Sequence, residues 1–427
     1  MDERQTREIR PEGLGLRPEQ KNQRLHVVSA LRPTAYSLRP LLLVALLLAC
    51  ANNIHAQQTV TESAFYRIHS DLAPESTADY AKRLDAMYSE YARRLADFDV
   101  PSGEKFAVHL FRRQADYRTF TGNRFPNSSG MFIPALRALA GFEESQGPGG
   151  LRKTLQHEAF HQFAYETISK DLPIWLDEGL AQVFEEGVWT GDRFLLGQVP
   201  PARIQELLAD AKAKRLTPFA AFLSMSRDTF QQRMSDPKQA RSQYTQAWAM
   251  THFLVFATNP DGTPRFRARL IAWLRDLHNA QPTDTSFTTH FGANIAGFEQ
   301  RFGEWMKALK PTPIAVYADR MSKLADLVRL LRSQNQRFSN PQQLRDYLSK
   351  GQYFLTQERD GRQYTLEENA LTYLNDISNN PWPADRLRFE PGKGPLPDIV
   401  LTTTDAATLR VRFRGKPGKV EHDLIFE

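Results

Sequence analysis

Leu151-Arg-Lys-Thr-Leu-Gln-His-Glu-Ala-Phe-His-Gln-Phe-Ala-Tyr165 contains the pentad His157-Glu158-Ala159-Phe160-His161, and this stretch decides the reading of the chain. On a helix, residues four apart share a face, so His157 and His161 can both reach one ion. Glu158 is adjacent on the same surface, able to hold a water without ligating the metal. Two imidazoles suit a borderline-soft cation such as zinc, and a neighbouring carboxylate suits a general base; this is the His-Glu-x-x-His pattern of zinc hydrolases. Leu155, Ala159 and Phe163 form an apolar stripe opposite the histidines, with Phe160 and Ala164 on a second flank, which predicts a helix buried on most sides. The plainer reading, a core helix with two satisfied histidines, has to be weighed against the rest of the chain.

A second segment weighs against it. Pro173-Ile-Trp-Leu-Asp-Glu-Gly-Leu-Ala-Gln-Val-Phe-Glu-Glu-Gly187 reads as a helix, with proline at its start and glycine at its end. Leu176, Leu180, Val183 and Phe184 form its apolar stripe, and Glu178 points away from them. Gly179 and Ala181 are small enough for another helix to pack close. Glu178 is the candidate third ligand, leaving a fourth position for water. Asp177 lies about 100° away around such a helix and is not expected to face the histidines; Glu185, seven residues on, is the competitor.

The 427 residues allow two or three domains. Residues 1–56 carry 8 Lys+Arg against 5 Asp+Glu; the remaining 47 against 44 leave no domain-wide basic stripe, which argues against a nucleic-acid partner. The apolar run at residues 41–51 follows Arg32 and Arg39 and is too short to span a bilayer, but suits the core of a signal peptide. Ile54-His55-Ala56 resembles a peptidase site that would leave Gln57 as the new terminus, and Leu47-Leu48-Ala49-Cys50 resembles a lipoprotein box. A periplasmic or secreted location is therefore expected, with membrane attachment only if Cys50 is lipidated. Cys50 is the only cysteine, so no internal disulfide is available.

In chain order, Phe65–Asp71 alternates like a strand. Ser76-Thr-Ala-Asp79 looks like a capping box opening a helix with Tyr80, Leu84, Met87, Tyr88 and Tyr91 on one face. Lys105–Phe111 reads as a strand and Ala115–Phe120 as a short helix. A turn at Asn127–Gly130 leads to a strand over Met131–Ile133. Gln146-Gly-Pro-Gly-Gly150 reads as a loop before the pentad helix. Helices are predicted over 201–213, 218–225, 243–257, 266–277 and 295–309, with another after Pro311-Thr-Pro313. Strands are predicted over 398–404, 408–414 and 419–426, forming a small antiparallel meander.

His157-Glu-Ala-Phe-His161 followed by Trp175-Leu-Asp-Glu-Gly-Leu-Ala181 resembles the gluzincin metallopeptidases, in which a glutamate on a following helix completes the site. The order of Tyr66–Asp71, His157–Gln162, Pro173–Ala181 and Tyr244-Thr-Gln-Ala-Trp-Ala249 is similar to a peptidase-MA-like bacterial family over roughly residues 60–310. The resemblance implies His157, His161 and Glu178 as Zn2+ ligands and Glu158 as catalytic base. It also implies Tyr244 as a stabiliser of the tetrahedral intermediate, and Gly130, Met131 and Phe132 as a strand whose edge takes an extended substrate. Aminopeptidase-N-like members carry Gly-Ala-Met-Glu-Asn there; Gly130-Met-Phe-Ile-Pro134 lacks the glutamate that binds a substrate amine.

The expected fold is α+β. Residues 1–56 form a signal region, 57–150 the N-terminal α/β half of a zincin-like domain, 151–312 its zinc-site and helical half, and 313–427 an accessory helix with a small β region. The expected function is hydrolysis of a peptide or protein substrate; the rival is a non-catalytic zinc-containing binding protein.

Overall fold

The computed structural model describes residues 6–9 and 58–426, apart from 96–97, 99–103, 124–127, 145–146, 360–361, 404–407 and 417–418. The apolar run at 41–51, Cys50 and the junction after Ala56 lie outside the described residues. The architecture is mixed α+β, with 13 helices and several small sheets among the described residues.

A five-stranded sheet opens the main body: β1 (Thr59–Glu62), β2 (Tyr66–Ser70), β3 (Phe106–Phe111), β4 (Gly130–Ile133) and β5 (Ala138–Phe142). Its spatial order is β1-β2-β3-β5-β4. Strands β2, β3 and β5 run parallel, while β1 and β4 are antiparallel edges. Strand β5 is absent from the sequence reading. Every one of its residues is buried, so Ala-Leu-Ala-Gly-Phe shows none of the alternation that marks a half-exposed strand. Its insertion beside β3 leaves Gly130–Ile133 as an edge strand.

Helix α1 (Pro74–Arg94) packs across the sheet through Tyr80, Leu84, Met87, Tyr88 and Tyr91. It begins before the expected capping box: Ala73 is the N-cap, without a side-chain cap, and Pro74 supplies the first turn. After α2 (Gln114–Phe120) comes α3 (Gly147–Phe163), which carries the pentad. The glycine–proline segment expected as a loop forms the first turn of α3, where a proline costs no hydrogen bond. The helix widens into a π-turn over Ala164–Ile168 before α4 (Ile174–Glu185).

The helical half continues through α5 (Pro201–Lys212), α6 (Phe219–Leu223), α7 (Arg227–Arg233), α8 (Pro237–Phe256), α9 (Arg267–His278), α10 (Thr283–Phe291) and α11 (Ile295–Ala308). Helix α8 starts at Asp236, whose carboxylate caps the amides of Lys238 and Gln239, two turns earlier than the apolar spacing indicates. One continuous core runs from Tyr66 to Met306. Trp175 is fully buried within it, stacked on Trp273 at 6.0 Å and against Phe222.

A second core begins with α12 (Pro313–Ser333) and α13 (Pro341–Leu348). Its four-stranded antiparallel sheet joins Leu387–Glu390 to Asp398–Thr402, Thr408–Lys416 and Lys419–Phe426. The first of these strands and a hairpin over Gln352–Arg359 and Arg362–Asn369 add to the expected meander.

Buried His252 on α8 makes the main core sensitive to acid. Its ring lies among Trp248, Phe256 and Trp305, with Nε2 3.3 Å from the carbonyl of Gly197. Burial pushes its pKa down to about 4. The unfolded chain takes up a proton near pH 6.5, while the native imidazole stays neutral. Stability therefore falls as pH drops from 6.5 towards 4, by about 3 kcal/mol over the whole window. In His252→Phe, the drop in melting temperature between pH 7 and pH 5 should be clearly smaller than in the wild type. Equal drops in the two proteins would show that His252 does not set the acid response.

Candidate metal centre

Helices α3 and α4 cross so that His157, His161 and Glu178 bring one donor atom each within 4.8 Å of one another. His157 Nε2 lies 3.3 Å from Glu178 Oε2, and His161 Nε2 lies 3.8 Å from the same oxygen. That oxygen is buried and no hydrogen bond reaches it. A buried carboxylate oxygen left this way is costly unless a cation takes it. Two imidazole nitrogens and one carboxylate are donors of the type that bind a divalent transition metal and leave a position open.

The rear nitrogens of both rings are held. His157 Nδ1 is 3.1 Å from Glu185 Oε2, and His161 Nδ1 is 2.9 Å from Asp177 Oδ1. A carboxylate on Nδ1 fixes the proton there and leaves Nε2 with its lone pair towards the metal position. Asp177 thus does approach a histidine, contrary to the angular argument from the sequence. Each imidazole presents two nitrogens on opposite sides, so a residue turned away from one can still reach the other. Glu185 likewise serves behind His157 and does not compete with Glu178.

Glu158 does not join the donor set. Its Oε2 accepts the Phe132 N–H on edge strand β4 at 2.8 Å, which ties the carboxylate to that strand. Gly130 permits this closeness, since a Cβ there would stand 2.8 Å from Thr154 Cγ2 of α3. Gly130, Met131, Phe132, Glu158 and Tyr244 line one cleft of about 570 Å³ together with the three donors. The ring of Tyr244 packs edge-on against Phe230 at 5.7 Å. Tyr244 lies well inside α8 and is not the helix-end residue that its spacing indicates.

The electrostatics are those of a place built for positive charge. Burial disfavours protonated His161, but the carboxylates of Asp177 and Glu178 overcome it and raise its pKa to about 9. Burial acts the same way on His157, and Glu178 and Glu185 hold its pKa well above the ordinary value. Burial raises the Glu158 carboxyl, opposed by the two histidines and the Phe132 amide. For Glu178 burial is outweighed by the histidines, which pull it down. Burial, then Glu178, Glu158 and Glu185, also raise the Tyr244 phenol.

Residues 152–276 match the family described as Protein of unknown function (DUF1570). The matched stretch contains all three donors, both rear carboxylates, Glu158 and Tyr244, and stops short of edge strand β4. No curated protein matches the chain.

Metal affinity, measured with zinc by chelator competition, should fall most in Glu178→Ala. Asp177→Ala and Glu185→Ala should each weaken it by roughly 10–100-fold through loss of histidine orientation. Wild-type affinity in both rear-carboxylate variants would mean that packing alone orients the rings.

Proposed function

We propose that the chain is a zinc-dependent peptidase of the gluzincin type, acting outside the cytoplasm. The observation carrying this reading is the meeting, in one cleft, of a three-donor group, the Glu158 carboxylate and the edge strand β4. A structural metal site needs neither the base nor the edge.

His157, His161 and Glu178 would hold zinc, which when bound would supply the Lewis acidity that polarises a scissile carbonyl and acidifies water. Glu158 accepts the proton of the attacking water and delivers it to the leaving amine. Burial raises its carboxyl from the ordinary value, against the pull of the two histidines and the Phe132 amide. The Tyr244 hydroxyl donates to the developing oxyanion. At the outer edge of β4 the Phe132 amide is held by Glu158, and the Gly130 amide and carbonyl by the Ser128 hydroxyl, so an extended peptide would take backbone hydrogen bonds there by displacing these contacts. The leader-like run at 41–51 supports export, and no helix among the described residues is long and apolar enough to cross a membrane. The zincin-like reading of the fold rests on the same elements: a mixed sheet ending in edge strand β4, the pentad helix packed against it, and a helical half that carries Glu178 and Tyr244.

Purified residues 57–427 should hold close to one zinc per chain and cleave an unstructured protein substrate. Glu158→Gln should keep the metal and lose turnover by roughly 10²–10⁴-fold. Tyr244→Phe should lower kcat by roughly 10²–10³-fold, about 3–4 kcal/mol, with zinc content unchanged. Zinc binding without cleavage in the wild type would favour a metal-holding binding protein; absence of zinc after metal-replete expression would end both readings.

A further inference from the structure

The charged groups of the cleft divide into those with tasks and those without. Three carboxylates line it: Glu158, Asp177 and Glu178. Glu178 belongs to the donor group, Asp177 holds His161, and Glu158 faces the strand edge. None is left to receive a substrate ammonium. Two cations line the same cleft, Lys170 and Arg227. Among the described residues Lys170 makes no ion pair. Its ammonium lies 5.3 Å from the centre of the Tyr165 ring, and that ring meets Phe132 of the edge strand edge-on at 5.4 Å. Among the described residues Arg227 pairs with Asp177 Oδ2, at 4.0 Å, and also bears on Glu178, and half of its side chain is exposed. Asp177 already spends its other oxygen on His161.

We propose that Lys170 and Arg227 make this a cleft for anionic substrates, with Lys170 as the main specificity-determining residue for a peptide carboxylate. The proposal rests on the metallopeptidase reading and adds the substrate class. A peptide lying along β4 passes the Phe132–Tyr165 contact, where the Lys170 ammonium is supported on the ring face. An aspartate or glutamate side chain, or a free C-terminal carboxylate, completes the pair that the chain leaves open. A lysine side chain or a free N-terminal amine finds no carboxylate to receive it and meets two cations instead.

The test uses one neutral decapeptide and its variants: a single Asp, Asn or Lys moved along the sequence, each with a free or amidated C-terminus. Rates are measured with the zinc-loaded protein, and binding of the same peptides is measured on zinc-loaded Glu158→Gln, so that selectivity is read without turnover. At the preferred position Asp should exceed Asn by about fivefold in kcat/KM and in affinity, and Lys should fall below Asn. The advantage should shrink in 0.5 M salt, since exposed charges are screened. A gain confined to free over amidated C-termini assigns the carboxylate to the chain end; a gain confined to Asp over Asn assigns it to a side chain. Lys170→Glu should reverse the order of Asp and Lys, while Arg227→Gln, checked for zinc content, should reduce the spread. Cleavage with equal rates and affinities for Asp, Asn and Lys would overturn the proposal and leave the peptidase standing. Failure to cleave any peptide counts against the peptidase, and the binding series still decides the charge preference.

Discussion

The centre depends on how closely α4 lies against α8, and Gly179 sets that distance. A Cβ at Gly179 would stand 2.5 Å from the carbonyl oxygen of Ala247 and 2.7 Å from Thr251 Oγ1. Neither can retreat easily: the carbonyl is main chain, and the Thr251 hydroxyl donates to Ala247 O and Trp248 O. Glu178 precedes this contact by one residue, and Tyr244 precedes Ala247 by three. The third donor and the phenol are thus placed relative to each other by a backbone approach that only glycine allows. Trp175, packed between Trp273 and Phe222, fixes the rotation of α4 about that contact.

Helix α3 is tied in by two buried amides flanking the pentad. Gln162 donates to the carbonyls of Ala107 and Arg137, joining the helix to the sheet. Gln156 donates to the carbonyls of Phe184, Glu185 and Gly187, satisfying the C-terminal end of α4. The second tie holds Glu185 in reach of His157 Nδ1. Each such bond contributes about 1 kcal/mol, while an unmade one at these depths costs roughly 1–3 kcal/mol, so their larger effect is to forbid other crossings. Positioning thus comes from main-chain carbonyls, and the ionisable groups stay free for the centre.

The pentad, Glu178 and most helices were legible because helical periodicity and the spacing of metal donors are local properties. Gly179 could be read as a place of close packing from its size alone. Strand β5 was not legible, because burial on both faces erases alternation. The roles of Asp177 and Glu185 were hidden for a different reason. Helical angles tell which residues share a face, but a histidine has two nitrogens, and one crossing helix can serve both sides. The start of α3 is hidden in the sequence because glycine and proline signal a loop by composition, yet proline is also at home in a first turn. Lys170 and Arg227 carry no signal along the chain; their significance appears only when the carboxylates around them are found already engaged.

Charge conservation ties these features together. Around the two histidines stand four carboxylates: Glu158, Asp177, Glu178 and Glu185. With both imidazoles protonated, the group carries a net charge of about −2, and buried carboxylates tolerate that only with cations close by. Exchanging those two protons for one divalent ion leaves the sum the same, while the imidazoles become the neutral donors that a metal requires. The surroundings therefore need not rearrange between the two states. Lys153 and Arg203 beside Glu185, and Arg227 beside Asp177 and Glu178, face the same total in each. A monovalent ion would leave the group one unit more negative, and a buried carboxylate would have to take up a proton. A divalent ion would thus suit the group by its number of carboxylates as much as by the identity of the three candidate donors.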